Sequence, residues 1–211
     1  WAKAHAQPSF AMSSGSDSQA KPPSGDFSTI LIFVLLAVAV AAVYANSLFV
    51  PFLFDDEPSL LQNASLQSLG TAFSPPTGYG ITVGGRPVLN ASFALNYALS
   101  GFSPLGFHLG NLVIHVLAAF VLFLLARDTL RLPALAHAYA PAAVPLAAVG
   151  AAVWAVHPLQ TEAVTYIVQR AESQVGLFYL LTLYLYLKYT EKPSITRLTF
   201  AFAACLLGMG T

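Results

Sequence analysis

Five apolar segments alternate with polar stretches along the chain of 211 residues. The apolar segments cover residues of about 27–50, 104–126, 140–157, 174–190 and 196–211. Because about 20 apolar residues in a helix cross the hydrocarbon core of a bilayer, this pattern predicts about five membrane-spanning helices. Only 9% of the residues are charged and 56% are hydrophobic, which leaves too few polar side chains for a water-facing surface. The sequence therefore predicts an all-α polytopic membrane protein.

The polar stretches differ in character. Residues 1–26 are rich in Ser, Gly, Pro, Ala and Gln and lack apolar periodicity, so they are predicted to form a disordered tail. Residues 51–103 form a long connection between the first two spans, and a connection of this length is generally functional. Within it, residues 89–99 are predicted to be helical. Ser103 followed by proline is a typical helix-start signal and predicts the beginning of the second span.

The basic residues predict the orientation of the chain. Seven of the nine Lys and Arg residues fall in segments on one predicted side, namely Lys3, Lys21, Arg127, Arg131, Lys188, Lys192 and Arg197. Since Lys and Arg accumulate on the cytoplasmic side, the N-terminus is predicted to be cytoplasmic and residues 51–103 extracytoplasmic. Arg86 and Arg170 are then the two basic residues of the outer side. The formal net charge of zero argues against nucleic acid as a partner.

Three consecutive acids, Asp55, Asp56 and Glu57, follow the first span. Carboxylates this close repel one another, so at least one should have a raised pKa, or a cation should neutralise them. One functional interpretation is a general base that deprotonates an acceptor hydroxyl, with a neighbour that orients it or holds a divalent cation. The alternative is a solvated acidic turn that helps to orient the helix.

A second polar group lies on the second span. His108, Asn111 and His115 are three and four residues apart, so they share one helix face. Polar side chains on one stripe of a membrane helix point into the bundle or into a wet cavity. The alternative function of this stripe is hydrogen bonding between helices, which is favoured for His115 because it lies deepest.

The third polar group surrounds the start of the fourth span and contains His157, Glu162, Arg170 and Glu172. We expect a helix that continues into the fourth span, in which Glu162 and Arg170, eight residues apart, share a face. Arg170 and Arg86 are candidates to hold a phosphate or a carboxylate. The alternative is a structural ion pair with Glu162, Glu172 or the acids after the first span.

Four motifs together resemble a known family. They are Phe-Asp-Asp-Glu after the first span, Arg-Pro-Val-Leu-Asn-Ala-Ser-Phe in the loop, His-Leu-Gly-Asn-Leu-Val-Ile-His on the second span, and His-Pro-Leu-Gln-Thr-Glu-Ala-Val-Thr-Tyr-Ile-Val-Gln-Arg-Ala-Glu-Ser. From about residue 45 to 211 the chain resembles the membrane portion of the TPR-containing, protein O-mannosyltransferase-like GT-C glycosyltransferases, particularly the bacterial members. The resemblance implies a polytopic GT-C fold in a bacterial inner membrane, with the large first outer loop in the periplasm.

The resemblance also implies an activity. Such enzymes move a sugar from a polyprenyl-phosphate donor to a hydroxyl acceptor, often on a protein. Transferred residue by residue, it implies that Asp55 or Asp56 is the catalytic base and that Arg170 or Arg86 meets the lipid phosphate. Together with the polar groups described above, this gives the candidate substrate-binding residues Glu57, Arg86, His108, His157, Glu162, Arg170 and Glu172. A divalent cation beside the acids is possible, and the motifs name no metal ligands or other cofactor.

Two departures from the family pattern leave an alternative open. Five spans are fewer than such an enzyme needs, and the period of about 34 residues typical of TPR repeats is absent. We therefore expect either a portion of a longer enzyme, inactive by itself, or a truncated relative that serves as a non-catalytic accessory subunit of a larger membrane complex. A transporter fragment is disfavoured because the charges cluster at one face and not at the bilayer midplane.

Overall fold

The structure is a computed structural model that describes residues 25–211, and every regular element in that range is helical. The predicted disordered tail lies outside the described residues, except for its last two positions. The helices are α1 (Gly25–Tyr44), α2 (Pro87–Ser100), α3 (Pro104–Leu130), α4 (Pro133–Tyr139), α5 (Ala143–Ala155), α6 (Thr161–Thr165), α7 (Arg170–Glu191) and α8 (Ile195–Met209).

Three stretches are long and apolar enough to cross a membrane: Ser28–Ser47, Pro104–Leu130 and Pro133–Ala155. They confirm the all-α membrane fold and correspond to the first three predicted spans. Helix α8 is apolar but has 15 residues, and α7 has 22 residues but is less apolar. The total of five spans therefore stays a prediction.

Helices α1, α3 and α5 share one core, and α7 packs along α3 on the way to α8. One face of α5 carries alanine at every fourth position, and these four alanines are buried: Ala143, Ala147, Ala151 and Ala155. Small side chains let neighbouring helix backbones approach closely, which is the usual basis of helix packing in membranes. Leu36, Val40 and Phe123 fill the remaining space of this core.

The loop of residues 51–103 is folded onto the bundle. Its buried apolar side chains form a second core with α3 and α7, including Leu60, Leu66, Val83, Leu89, Phe93 and Phe107. The predicted loop helix is confirmed as α2, and α3 begins at Pro104 as the sequence indicated. Asn63 and Asn90 are buried and hydrogen-bonded to each other at 2.8 Å, which fixes the loop internally.

The prediction of one continuous helix from residue 158 into α7 is wrong. Helix α6 ends at Thr165, Tyr166 is extended (φ −88°, ψ 119°), and a short turn precedes α7. The carbonyl groups freed by this break need new donors. The side-chain amide of Asn111 supplies one, lying 3.2–3.4 Å from three carbonyl oxygens of residues 164–167. Consequently Glu162 is exposed and Arg170 is buried, so the two do not share a face.

The bundle has two chemically different ends. At one end, the hydroxyl of Tyr44 and Nε2 of His115 both contact the carbonyl of Ala155, at 3.2 and 2.8 Å, which confirms the interhelical bonding expected for His115. We call this the acidic end because it carries the acids that follow α1 and those of residues 162–172. At the other end, the basic end, Asp128 is paired with Arg127 and Lys188.

Candidate functional site

The acidic turn after α1, residues 53–57, is fastened to the break between α6 and α7. Asp56 is 1% exposed, and both of its carboxylate oxygens accept backbone hydrogen bonds. The N–H of Val168 donates to Oδ1 and the N–H of Leu53 donates to Oδ2, each at 2.9 Å. One buried carboxylate thus joins two segments that are 112 positions apart in the sequence.

The environment of Asp56 disfavours its charged form. Burial raises the pKa of Asp56, the hydrogen bonds from Leu53 and Val168 lower it, and the charge of Asp55 raises it again, with a net increase. Within residues 25–211, no basic side chain forms an ion pair with it. Of the two alternatives expected for this cluster, the raised pKa is the one that applies to Asp56, and its first cause is burial and not mutual repulsion.

The two neighbouring acids are exposed. The backbone N–H of Asp55 donates to the hydroxyl oxygen of Tyr166 at 2.9 Å, which leaves its carboxylate free to face solvent. Glu57 accepts a hydrogen bond from the side-chain amide of Gln62 at 3.1 Å. The turn is thus only partly solvated: Asp56 is buried and hydrogen-bonded, whereas the adjacent Asp55 is exposed.

A cavity of about 550 Å³ opens beside this turn, between the end of α1, the start of α3 and the α6 segment. Asp56, His108 and Tyr166 line it together with Asn46, Ser47, Thr161 and Thr165. His108 is buried, and its Nε2 lies 3.0 Å from the carbonyl oxygen of Val50. Since a carbonyl only accepts, we assign the proton to Nε2. Nδ1 has no hydrogen-bond partner among the described residues.

Arg170 lies inside the protein at the start of α7 and is 1% exposed. Its Nε donates to Asn111 Oδ1 at 2.6 Å, and Nη2 donates to Asn96 Oδ1 at 2.8 Å and to the carbonyl of Phe107 at 2.9 Å. Nη1 contacts the carbonyl of Ser92 at 3.3 Å. The guanidinium therefore joins α2, α3 and α7 through neutral oxygen atoms.

Aromatic rings complete the surroundings of this cation. The guanidinium carbon lies 4.4 Å from the ring centre of Phe93 and 5.8 Å from that of Phe107, within the range of cation–π attraction. Burial lowers the pKa of Arg170 to about 9, so it stays charged at neutral pH. The ion pair considered for Arg170 is not formed in the described part of the chain, and Arg170 does not line the cavity of Asp56.

Arg86 and Glu172 lie in a second cleft of about 870 Å³, together with Thr82 and Gln169. Both charged side chains are exposed, and they form no ion pair with each other or with any other described residue. Gln169 is next to Val168, whose N–H binds Asp56. The turn of residues 166–169 therefore separates this cleft from the cavity of Asp56.

His157 and Glu162 are exposed, and neither lines the cavity of Asp56. His157 accepts a hydrogen bond at Nδ1 from the N–H of Leu159 at 3.2 Å, which caps the turn after α5. The structure therefore separates the candidate residues into four groups. Asp56 and His108 line the cavity, with Asp55 and Glu57 exposed on the same turn but outside the cavity lining; Arg86 and Glu172 share the second cleft, Arg170 is enclosed, and His157 and Glu162 are on the surface.

Sequence reasoning did not identify Tyr166 or Asn96. Tyr166 stands within Val164, Thr165, Ile167 and Val168, a run of β-branched residues that disfavours a helix and that signals the observed break. Asn96 lies on α2, where the sequence gives no sign that an arginine 74 positions away will reach it. No group of three or more His, Cys, Asp or Glu side chains suited to a metal ion occurs within the described range.

The chain is similar in sequence to known protein O-mannosyl-transferases. It is 35% identical over 156 residues to protein O-mannosyl-transferase Tmtc1 of Drosophila melanogaster, which covers 70% of this chain and 16% of that protein. It is 33% identical over 172 residues to protein O-mannosyl-transferase TMTC3 of Mus musculus, covering 74% of this chain and 16% of the relative. Neither a family model nor a solved structure matches the chain. The chain thus spans about a sixth of the length of these relatives.

Proposed function

Since the chain belongs to the TMTC family of protein O-mannosyl-transferases, we propose that its acidic end is part of the active site of a membrane glycosyltransferase. The observation that carries this proposal is the fixed position of the acidic turn beside a cavity. Asp55 presents a carboxylate at the surface, while its backbone N–H is bound by the hydroxyl of Tyr166 and the side chain of Asp56 by the N–H of Val168. An accessible base on a rigid support is the arrangement that proton transfer from an acceptor hydroxyl requires.

The proposed reaction is an inverting displacement. The oxygen of an acceptor hydroxyl on a protein attacks the anomeric carbon of the sugar, and the bond from that carbon to the donor phosphate breaks. The carboxylate of Asp55 takes the hydroxyl proton, and the polyprenyl phosphate leaves with the bonding electron pair. Asp56 positions Asp55, since both of its own oxygens are occupied by backbone donors.

The departing phosphate needs a cation. Arg86 suits this role better than Arg170, because it is exposed in a cleft and forms no ion pair with any described residue. Arg170 already donates to four oxygen atoms of the protein, so its proposed role is to hold α2 and α3 at the start of α7.

The proposed orientation follows the distribution of charge. The basic end contains Arg127, Arg131, Lys188, Lys192 and Arg197, as expected for a cytoplasmic surface. The acidic end then faces the opposite side, which is the periplasm if the protein is in a bacterial inner membrane. This side is where a polyprenyl-linked sugar and a translocated protein acceptor meet.

Replacement of Asp55 by Asn in the full-length protein tests the proposal. We expect sugar transfer from a polyprenyl-phosphate donor to a protein acceptor to fall by about 100-fold or more, since general-base catalysis contributes on the order of 10²–10⁴. Glu191→Gln is a matched control, because Glu191 is an exposed acid at the basic end. Unchanged transfer by Asp55→Asn would exclude this carboxylate as the base and would favour a non-catalytic accessory subunit.

A further inference from the structure

The peptide unit before Asp55 has an unusual backbone conformation. Phe54 has φ of +45°, in the left-handed region that a bulky side chain rarely adopts, and its side chain is 84% exposed. A residue in this conformation persists only where its surroundings hold it, and such residues cluster at functional sites. Contacts from neighbouring segments must therefore hold Phe54 and Asp55 in place.

The structure identifies two contacts that reach the turn from outside. Asp56 is bound by the N–H of Val168, and the N–H of Asp55 is bound by the hydroxyl of Tyr166, each at 2.9 Å. The second contact acts directly on the peptide unit that joins Phe54 to Asp55. Tyr166 is half-buried, and its backbone is extended between two helical segments. The position of its side chain is therefore fixed by the helices on either side.

We propose that Tyr166 is a positioning residue, whose hydroxyl holds the strained Phe54–Asp55 peptide unit and thereby sets the carboxylate of Asp55 for proton transfer. This inference rests on the proposed function of Asp55. A tyrosine hydroxyl has one proton and accepting lone pairs. Because the N–H of Asp55 uses an acceptor position, the proton of Tyr166 remains available to a donor or acceptor substrate in the cavity that Tyr166 lines.

Charge around the hydroxyl fits this role. Burial raises the pKa of Tyr166, the hydrogen bond from Asp55 lowers it, and the carboxylates of Asp55, Asp56 and Glu162 raise it, with a net increase. The hydroxyl therefore stays protonated throughout the neutral range. It acts as a hydrogen-bonding group and not as an acid or base in the reaction.

The test uses Tyr166→Phe in the full-length protein, with Tyr139→Phe as the control. Tyr139 is exposed at the end of α4 and lies in none of the groups described above. We expect Tyr166→Phe to lower kcat by about tenfold, the effect of one net hydrogen bond, with KM for the acceptor peptide unchanged within about twofold. A role in packing alone would lower the amount of folded protein and leave kcat per folded molecule intact.

Amide hydrogen exchange of the peptide that contains Asp55 gives a readout independent of sugar transfer. Exchange of the Asp55 N–H should become faster in Tyr166→Phe and stay unchanged in Tyr139→Phe. A wild-type protein that transfers no sugar would overturn the proposed function, and exchange would still test the Tyr166–Asp55 hydrogen bond. Unchanged exchange, or faster exchange with unchanged kcat in an active protein, would overturn the role of Tyr166.

A second variant removes the strain itself. Glycine adopts φ of +45° without steric cost, so in a Phe54→Gly background the turn depends less on the hydroxyl of Tyr166. We expect the loss of kcat caused by Tyr166→Phe to be smaller in this background than in the wild type. An equal loss in both backgrounds would show that Tyr166 does not act through the Phe54–Asp55 peptide unit.

Discussion

Both ends of the bundle bury a carboxylate, but different groups stabilise it. At the basic end, Asp128 lies 2.7 Å from Nε of Arg127 and 2.9 Å from Nζ of Lys188. At the acidic end, Asp56 accepts two backbone N–H groups, and no cation pairs with it in the described structure. Arg170 is buried at the same end, and it too is held by neutral groups.

The two ends thus differ in the groups that hold their buried carboxylate. Opposite charges in an ion pair satisfy each other and contribute mainly to helix association. Asp56 is instead held by two backbone N–H groups, which fix the turn and leave the carboxylate of Asp55 exposed beside it. The proposed function assigns the reaction site to the acidic end, whereas at the basic end the Lys188–Asp128 ion pair joins α7 to α3.

The largest change in stability should follow the loss of the buried cation. Arg170→Met leaves the amide oxygens of Asn96 and Asn111 and two backbone carbonyls without their donors inside the protein. We expect a loss of about 3 kcal/mol or more in the free energy of unfolding, measured by thermal denaturation in detergent. Arg131→Met, in an exposed position at the basic end, is the control. A loss below about 1 kcal/mol for Arg170→Met would show that the network is replaceable.

A smaller loss of stability is expected for a substitution in α3 where this helix approaches the hydrogen bonds of Arg170. A Cβ atom on Gly110 would lie 2.6 Å from Nη2 of Arg170, whereas one on Gly150 of α5 would meet nothing within 4 Å. Gly110→Ala should therefore destabilise the protein by about 1–3 kcal/mol through overpacking. Gly150→Ala should stabilise it slightly because alanine favours the helix. Equal changes in melting temperature for the two variants would contradict the tight packing at Gly110.

The smallest effect is the pH dependence that Asp56 contributes. Its pKa is raised on folding, so the folded state binds the proton more tightly than the unfolded state. The contribution of Asp56 to stability therefore falls as the pH rises from the unfolded pKa to the folded pKa, and it is constant above both. Melting temperatures of the wild type and Asp56→Asn between about pH 4 and pH 7 should show this difference in slope. Parallel curves would show that the pKa of Asp56 is unchanged on folding.

Much of the fold follows from the apolar pattern, whereas the site follows only in part. The first three spans, the start of α3 and the loop helix α2 were predictable because each depends on local periodicity or a local proline signal. The break at Tyr166 was missed because the polar residues around it suggested a helix face. Its β-branched neighbours and the carbonyl-binding amide of Asn111 decide otherwise.

The roles of the charged residues depend on burial, which periodicity does not give. Asp55 and Asp56 are adjacent in the sequence, yet Asp55 is exposed and Asp56 is buried. Likewise Arg86 and Arg170 were equivalent outer-side cations in the sequence, but only Arg86 is exposed. These distinctions arise from contacts between segments more than 70 positions apart, such as that of Arg170 with Asn96.

The most direct test compares the two ends in one experiment on the full-length protein. Sugar transfer and melting temperature are measured for Asp55→Asn and for Asp128→Asn. We predict that Asp55→Asn loses transfer by about 100-fold or more at an unchanged melting temperature, and that Asp128→Asn melts lower but retains transfer per folded molecule. Retained transfer in Asp55→Asn, or lost transfer per folded molecule in Asp128→Asn, would contradict the assignment of the reaction site to the acidic end.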